Sequence, residues 1–546
     1  MERNVGSADL ASQTGRTNTV LGRSRSERRS RPRRGPVAIW LGLAAGLSVL
    51  ALACAGASWG ANSYDAAADM NSMYNTTLYS GAQAWWNAGF TGKGVDVAVI
   101  DTGVSRVAGL DAPGKVIYGP DLSLESQAPN LTNLDTSGHG TFIAGLIAGR
   151  DGSPRSAVQP SAYRGMAPDA RIVSLKVGTA DGGVDVSQVI AAIDWVVEHR
   201  QDNGLDIRVL NLSYGTNSAQ SAEVDPLSYA VEQAWKRGIV VVAAAGNSGY
   251  QVGGGAPGVA DPAYNPFVIA AGGSDSTGTP AISDDTVGAY SASARCGPCK
   301  RPDFVAPGSH LQGLRVPGSY IDQTEPQGAI SRRFFRGTGT SEAAAVVSGA
   351  VALVLDRFPR LDPDDVKAFF KSNAVDLPDQ SRLSQGRGEI DLGAMLADQP
   401  SWNRSQSHPA ATGTGSLEVA RGQDHLTRDG VVLSGEQDIF GKPFDSAEMA
   451  RLEGMANSWR GGRWNGSTWT GTGWSGTTWT GASWSGNSWS GSSWSSGTWS
   501  GNSWSGDGWS GNSWSGNSWS GSSWSGNSWS GSSWSSAAWL GASWGK

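Results

Sequence analysis

Arg336-Gly337-Thr338-Gly339-Thr340-Ser341-Glu342-Ala343-Ala344-Ala345 is a Gly/Thr-rich turn that runs into an apolar segment, uncharged from Ala343 to Leu355. The pattern predicts a tight turn feeding a helix that is apolar on all sides and therefore buried. A hydroxyl at the mouth of such a helix meets unpaired N–H groups and a partial positive charge, which suits a nucleophile whose reaction builds an oxyanion. The same residues also fit a blander reading, in which Thr340-Ser341 only caps the helix ahead of Glu342. The rest of the chain decides between the two.

Upstream, Val95 to Ile100 is a short β-branched run bounded by glycines, the pattern of a central parallel strand, and Asp101 follows at its C-terminal end. Strands are then expected at Arg171 to Val177, Ile207 to Tyr214 and Ile239 to Ala245, with helices at Ala82 to Ala88, Val186 to Arg200 and Ser221 to Arg237. Strand–helix alternation with continuous apolar strands predicts an α/β fold, a doubly wound, mostly parallel sheet flanked by helices. Right-handed crossovers bring the strand ends to one edge, so Asp101, Ser213 and Asn247 converge there beside Ser341. Between the first strands lies His139, bracketed by Gly138 and Gly140 at the start of an apolar helix. Among five histidines it is the one left open to approach by small neighbours.

Asp101, His139, Asn247 and Ser341 supply an orienting carboxylate, a base, an amide donor and a nucleophile. Four stretches carry a family resemblance: Val97-Ala-Val-Ile-Asp101-Thr-Gly-Val, His139-Gly-Thr-Phe-Ile-Ala-Gly, Ala243-Ala-Ala-Gly-Asn247-Ser-Gly and Gly339-Thr-Ser341-Glu-Ala. In that order and at full-domain spacing they resemble the subtilisin-like serine proteases, over about residues 83–397. The resemblance implies a serine endopeptidase with Asp101, His139 and Ser341 as its catalytic residues and Asn247 as oxyanion donor. It implies polypeptide substrates and no cofactor. Ser213-Tyr214-Gly215 would pair with the substrate backbone, and Ala244-Ala245-Gly246 would wall a roomy primary pocket for apolar or aromatic side chains. One departure is Glu342, where the family has an apolar residue. Its carboxylate would either lie near the oxyanion and oppose catalysis, or point outward and favour the helix N-terminus. The family often binds structural calcium, but no residue cluster marks a metal site.

Residues 1–36 carry nine Arg and three acids; the remainder has 33 basic and 45 acidic residues, a net charge of −12. An acidic body with no basic stripe argues against nucleic acid as a partner. The Arg-rich start leads into an uncharged run, so residues 1–60 read as a signal peptide, in preference to a membrane anchor at 37–57. Either way the body is exported, to be secreted or held at the cell surface. Cys296-Gly-Pro-Cys299 sits in loop-like sequence and is expected to form a small structural disulfide rather than a redox site.

Residues 61–82 read as a short leader, 83–398 as the peptidase domain and 399–458 as a linker with an unassigned segment. From Trp459 to Trp544 a tryptophan falls at every fifth position, in units such as Trp-Ser-Gly-Asn-Ser. The Ser/Gly composition fits a flexible spacer, and the strict period fits a solenoid with five residues per side. Exposed indoles could hold the protein to a cell-surface glycan or to other copies of itself. A rival from another class is an inactive protease scaffold that binds surfaces through these repeats.

Overall fold

The computed structural model describes residues 64–127, 130–152, 158–250, 258–428 and 431–468, with short backbone segments between 484 and 535. The Arg-rich start, the apolar run at 37–57 and most of the Trp repeats lie outside the described residues.

Strand β1 (Asp96–Asp101) is buried at every position, as only a strand covered on both faces can be. Its parallel neighbours are β3 (Arg171–Lys176) on one side and β4 (Ile207–Leu212) on the other. With β2 (Val116–Asp121), β5 (Val240–Ala244), β6 (Ile269–Asp275), β7 (Thr286–Val287) and β8 (Phe304–Pro307) they form one eight-stranded sheet. Its order is β2-β3-β1-β4-β5-β6-β7, with β8 also paired to β6. Only the β6–β7 pairing is antiparallel. A separate hairpin joins β9 (Leu311–Leu314) to β10 (Phe334–Gly337).

The stretch expected to be a leader belongs to the body. Helices α1 (Met73–Tyr79) and α2 (Ala82–Asn87) bury Met73, Ala82 and Trp85, and the Met73 N–H donates to Gln312 Oε1 at 3.0 Å. Next come α3 (His139–Ala148), α4 (Val186–His199) and α5 (Pro226–Lys236). Helix α5 starts five residues later than the apolar pattern suggests, because Asp225 caps it through Ser228 N and Pro226 takes the first turn. Helix α6 (Tyr320–Thr324) lies in the β9–β10 connection. Helix α7 (Thr340–Arg357) is buried from Thr340 to Leu355 and packs against β4, β5, β6, β8 and α3. It is the apolar helix expected from the sequence.

The expected linker at 399–458 is instead a strap packed on α4 and α5. Leu417, Leu426, Leu433, Ile439, Phe440 and Met449 are buried within the main core. Arg421, fully buried, pairs with Asp185 at 2.6 Å, and Asp185 also caps α4. The first two tryptophans of the fivefold period belong to this strap: Trp459 Nε1 donates to Ala191 O at 2.8 Å and Trp464 Nε1 to Asp194 Oδ2 at 2.7 Å. Farther on, Trp484–Ser485 pairs antiparallel with His425–Leu426, and the described segments from 493 to 535 are short parallel strands in which residues fifteen apart pair, such as Trp509 and Trp524. Trp494 with Trp509 and Trp504 with Trp519 keep the same offset.

Candidate active site

Asp101 ends β1 at the strand C-terminal edge, and its Oδ1 lies 2.8 Å from His139 Nδ1. The same oxygen accepts from Thr102 N at 2.7 Å. His139 opens α3 after Gly138, whose φ of 100° is the left-handed backbone that glycine adopts without penalty. Gly140 is required for another reason: a Cβ there would stand 2.1 Å from Gly103 O. Removing that side chain lets the helix start close on the β1 end and bring imidazole to carboxylate.

A second carboxylate holds this junction. Asp135 accepts from Gly138 N at 2.8 Å and Thr141 N at 2.7 Å, satisfying two donors of the α3 start. Thr102 Oγ1 donates to Asp135 at 2.9 Å and accepts from Gly140 N at 2.9 Å, tying the strand end to the helix. Burial pushes the Asp135 carboxyl above its ordinary range, against these donors and the charge of Lys176. Neither Thr102 nor Asp135 stood out in the sequence as a site residue. The usable signal was an Asp four positions ahead of a glycine-flanked His at a helix start, which is a capping arrangement.

Ser341 is fully buried one residue inside α7. The reading of Thr340-Ser341 as a simple cap does not hold. The capping position is Gly339, which has no side chain to bond, and Thr340 faces β5 instead. Thr340 N and Oγ1 both donate to Asn247 Oδ1 at 2.9 Å, and Thr340 Oγ1 accepts from Gly246 N at 3.1 Å. With Oδ1 fixed in this way, Asn247 Nδ2 is buried with no hydrogen-bond partner among the described residues. A buried amide donor at a strand end beside a helix N-terminus is the arrangement an oxyanion requires. Ser213 closes the back of the site: its Oγ donates to Ser341 O at 3.3 Å and accepts from Asn211 Nδ2 at 3.0 Å.

The other expected substrate-binding residues fall on the same edge. Tyr214 and Gly215 follow β4, and Thr216 exchanges two backbone bonds with Asp261, at 2.8 and 2.9 Å. Ala244, Ala245 and Gly246 follow or end β5 and are buried. The Ala260 methyl packs against both glycines of this edge, 2.8 Å from a Cβ built on Gly215 and 3.1 Å from one built on Gly246. Cys296 and Cys299 form a disulfide in a loop. Among the described residues no group of three or more His, Cys, Asp or Glu is placed to hold a metal ion. Likewise, no described helix is long and apolar enough to cross a membrane.

Glu342 does not take the outward position, one of its two expected alternatives. It is 3% exposed, so it does not point outward. A Cβ built on Gly337 would lie 2.6 Å from its Oε1 and 2.7 Å from Phe142 Cζ, which places the carboxylate between β10 and α3. The charge does reach His139. Burial disfavours the imidazolium, but Asp101, by charge and hydrogen bond, outweighs it; Glu342 and Asp135 add to this, and the imidazole is pushed up to about 9.

Residues 92–389 match the family model described as Subtilase family. Serine protease AprX of Bacillus subtilis is 34% identical over 307 residues, 55% of this chain and 65% of AprX, so the chain spans just under two thirds of that relative. Subtilisin DY of Bacillus licheniformis is 32% identical over 307 residues, 56% of this chain and 93% of the subtilisin. Among solved structures, that of a cold adapted subtilisin-like serine proteinase is similar at 28% identity. It has a TM-score of 0.40 and covers 55% of this chain and 88% of that one.

Proposed function

Since the chain belongs to the subtilase family of serine-type endopeptidases, we propose that it hydrolyses polypeptides through Asp101, His139 and Ser341. Ser341 Oγ attacks the scissile carbonyl carbon while His139 Nε2 takes its proton. The carbonyl π electrons move onto oxygen, and that oxyanion is held by Asn247 Nδ2 and the Ser341 N–H. Collapse of the intermediate expels the amine, which takes the proton from His139. Water then repeats the sequence on the acyl-enzyme. Asp101 keeps the imidazole in the useful tautomer and stabilises its charged form. The observation that most supports this reading is the buried 2.8 Å contact between Asp101 and His139 at the α3 start.

Substrate backbone pairs with Ser213 to Gly215, and Ala244 to Gly246 line the pocket for the residue before the scissile bond. With small residues on that wall, the pocket is expected to accept apolar or aromatic side chains. The test is labelling of the full chain by a fluorophosphonate probe. Labelling is expected, and Ser341→Ala should abolish it with the fold intact. Undiminished labelling of that variant would sink the assignment of Ser341, and a folded wild-type chain that never labels would favour an inactive surface-binding scaffold.

Two readings concern the ends. The Arg-rich start and apolar run fit an export signal, and the Cys296–Cys299 disulfide suits an oxidising compartment. For the tail, the strict five-residue tryptophan period fits a repeat array that serves as spacer or surface attachment. Deleting 469–546, which spares Trp459 and Trp464, should release the protein from cells without changing peptide turnover. Unchanged retention would refute attachment.

A further inference from the structure

On the sheet edge away from Ser341, a groove collects basic side chains that lie far apart in the sequence. It is bounded by α8 (Pro363–Asn373), the stretch 382–387 and the strap residues Arg404, Ser405 and Gln406. It encloses about 770 Å³ of space open to water, inside the range of about 300–1,000 Å³ usual for ligand pockets. A second lobe of about 360 Å³ adjoins it, since Lys371, Arg382 and Arg387 line both. Arg301 lines only the second lobe and Arg404 only the first. Topology sets the edge. Asp303 stands just before β8, which runs parallel to β6, so the groove is at the N-terminal ends of the strands, whereas Asp101 ends β1 and Asn247 follows β5. Likewise, Ser341 opens α7 and α8 follows its far end, about 27 Å along an 18-residue helix.

The acids at the groove are already engaged. Asp364 accepts from Trp235 Nε1 at 2.7 Å and from Gln406 Nε2 at 2.8 Å, and Asp376 is paired with Arg382 at 2.9 Å. Asp303 is shared by Lys300 at 2.7 Å and by Lys367 and Lys371 at 3.3 Å. Burial opposes its ionisation, but the three lysines outweigh burial and hold its carboxyl below the ordinary range. One carboxylate among three ammonium groups leaves the region positive, in a body whose net charge is −12. Among the described residues, the guanidinium groups of Arg301, Arg387 and Arg404 have no hydrogen-bond or ion-pair partner. A guanidinium is a planar fork that grips an oxyanion through two parallel N–H bonds. A carboxylate offers it one charge and two oxygens, whereas a phosphate group offers about two charges and three oxygens, so several forks can share it. Two lobes joined by Lys371, Arg382 and Arg387 fit two such groups side by side. We propose that this groove binds an anion carrying two or more phosphate groups. Its place on the far edge leaves the catalytic edge open, so the ligand serves as an attachment and not as substrate. The proposal stands apart from the peptidase reading.

Calorimetric titration of the full chain with inorganic orthophosphate, pyrophosphate and tripolyphosphate, at one low ionic strength, tests the site. The two longer anions should bind about tenfold or more tightly than orthophosphate, because only they reach both lobes. Arg387 is exposed and unpaired, so its replacement should leave the thermal unfolding midpoint unchanged. Arg387→Gln should weaken tripolyphosphate by about tenfold, and Arg387→Lys, which keeps the charge without the fork, by less. Arg451→Gln, an exposed arginine outside the groove, should leave binding as it is. No binding of tripolyphosphate, binding no tighter than that of orthophosphate, or binding unchanged in Arg387→Gln would overturn the proposal. Equal binding of a short polyglutamate peptide would also overturn it, in favour of an acidic polypeptide. Vesicles separate two sources of the phosphate. Retention on phosphatidylglycerol but not phosphatidylcholine vesicles, reversed by tripolyphosphate, would identify membrane headgroups. Tripolyphosphate binding without such retention would identify a free or polymeric phosphate chain, and either result upholds the site.

Discussion

His139 is where single residues set the chemistry, because a general base works only in its neutral form. Three carboxylates hold its proton: Asp101 at the end of β1, Asp135 ahead of α3, and Glu342 on α7, with Asp101 the strongest and burial opposing all three. With the imidazole raised to about 9, kcat/KM should climb with pH through that region. Glu342→Gln removes one negative charge, so the neutral form gains and the acid limb should move to lower pH. A pH–rate profile of the two proteins checks the sign, and an unmoved or upward-shifted limb would contradict it. At this scale the sequence was informative for groups whose chemistry is intrinsic. Asp101, His139, Asn247 and Ser341 could be named from residue type, glycine neighbours and position at element ends. Thr102, Asp135 and Thr340 could not, because they matter only through hydrogen bonds to partners remote in sequence: 33 positions separate Thr102 from Asp135, and 93 separate Thr340 from Asn247.

Among the elements, those made of unbroken apolar runs were legible: β1, β3, β4, β5 and α4 appear within one or two residues of their expected limits, and α7 begins three residues ahead of its apolar run. Strand β6 was not, because Gly272 and Gly273 interrupt its apolar run; the structure uses their missing side chains to admit Ser291 and Tyr290. The join between α4 and the strap was also invisible, since Asp185 reads as an ordinary helix cap until Arg421 is seen against it. Both side chains of that pair are fully buried. Removing one member of a buried ion pair leaves a desolvated charge, so Arg421→Ala should cost about 3–5 kcal/mol of unfolding free energy. The exposed pair Arg451–Glu448 is the internal comparison, and Arg451→Ala should leave stability nearly unchanged. Denaturant titrations that gave the two variants equal losses would refute the distinction.

For the whole molecule, the matched family region ends at residue 389, but the packed body continues to 468. Periodicity reports which face of an element is apolar, not what covers it, and for that reason 399–458 looked like a linker. A chain ending at 468 should fold and turn over peptides like the full protein. One ending at 398 should yield little soluble protein, because it strips Trp459 and Trp464 from α4 and leaves Asp185 without Arg421. Equal yields from the two would show that the strap is dispensable. The strap also acts as a clock. A polypeptide is made from its N-terminus, so Ser341 emerges well before Arg421, and Trp464 later still. Until that late stretch arrives, α4 lacks its cover, and the newborn hydrolase passes through an interval in which its own loops are open to attack. Chains arrested just past residue 420 should therefore be far more sensitive to added protease than chains from which residue 468 has fully emerged.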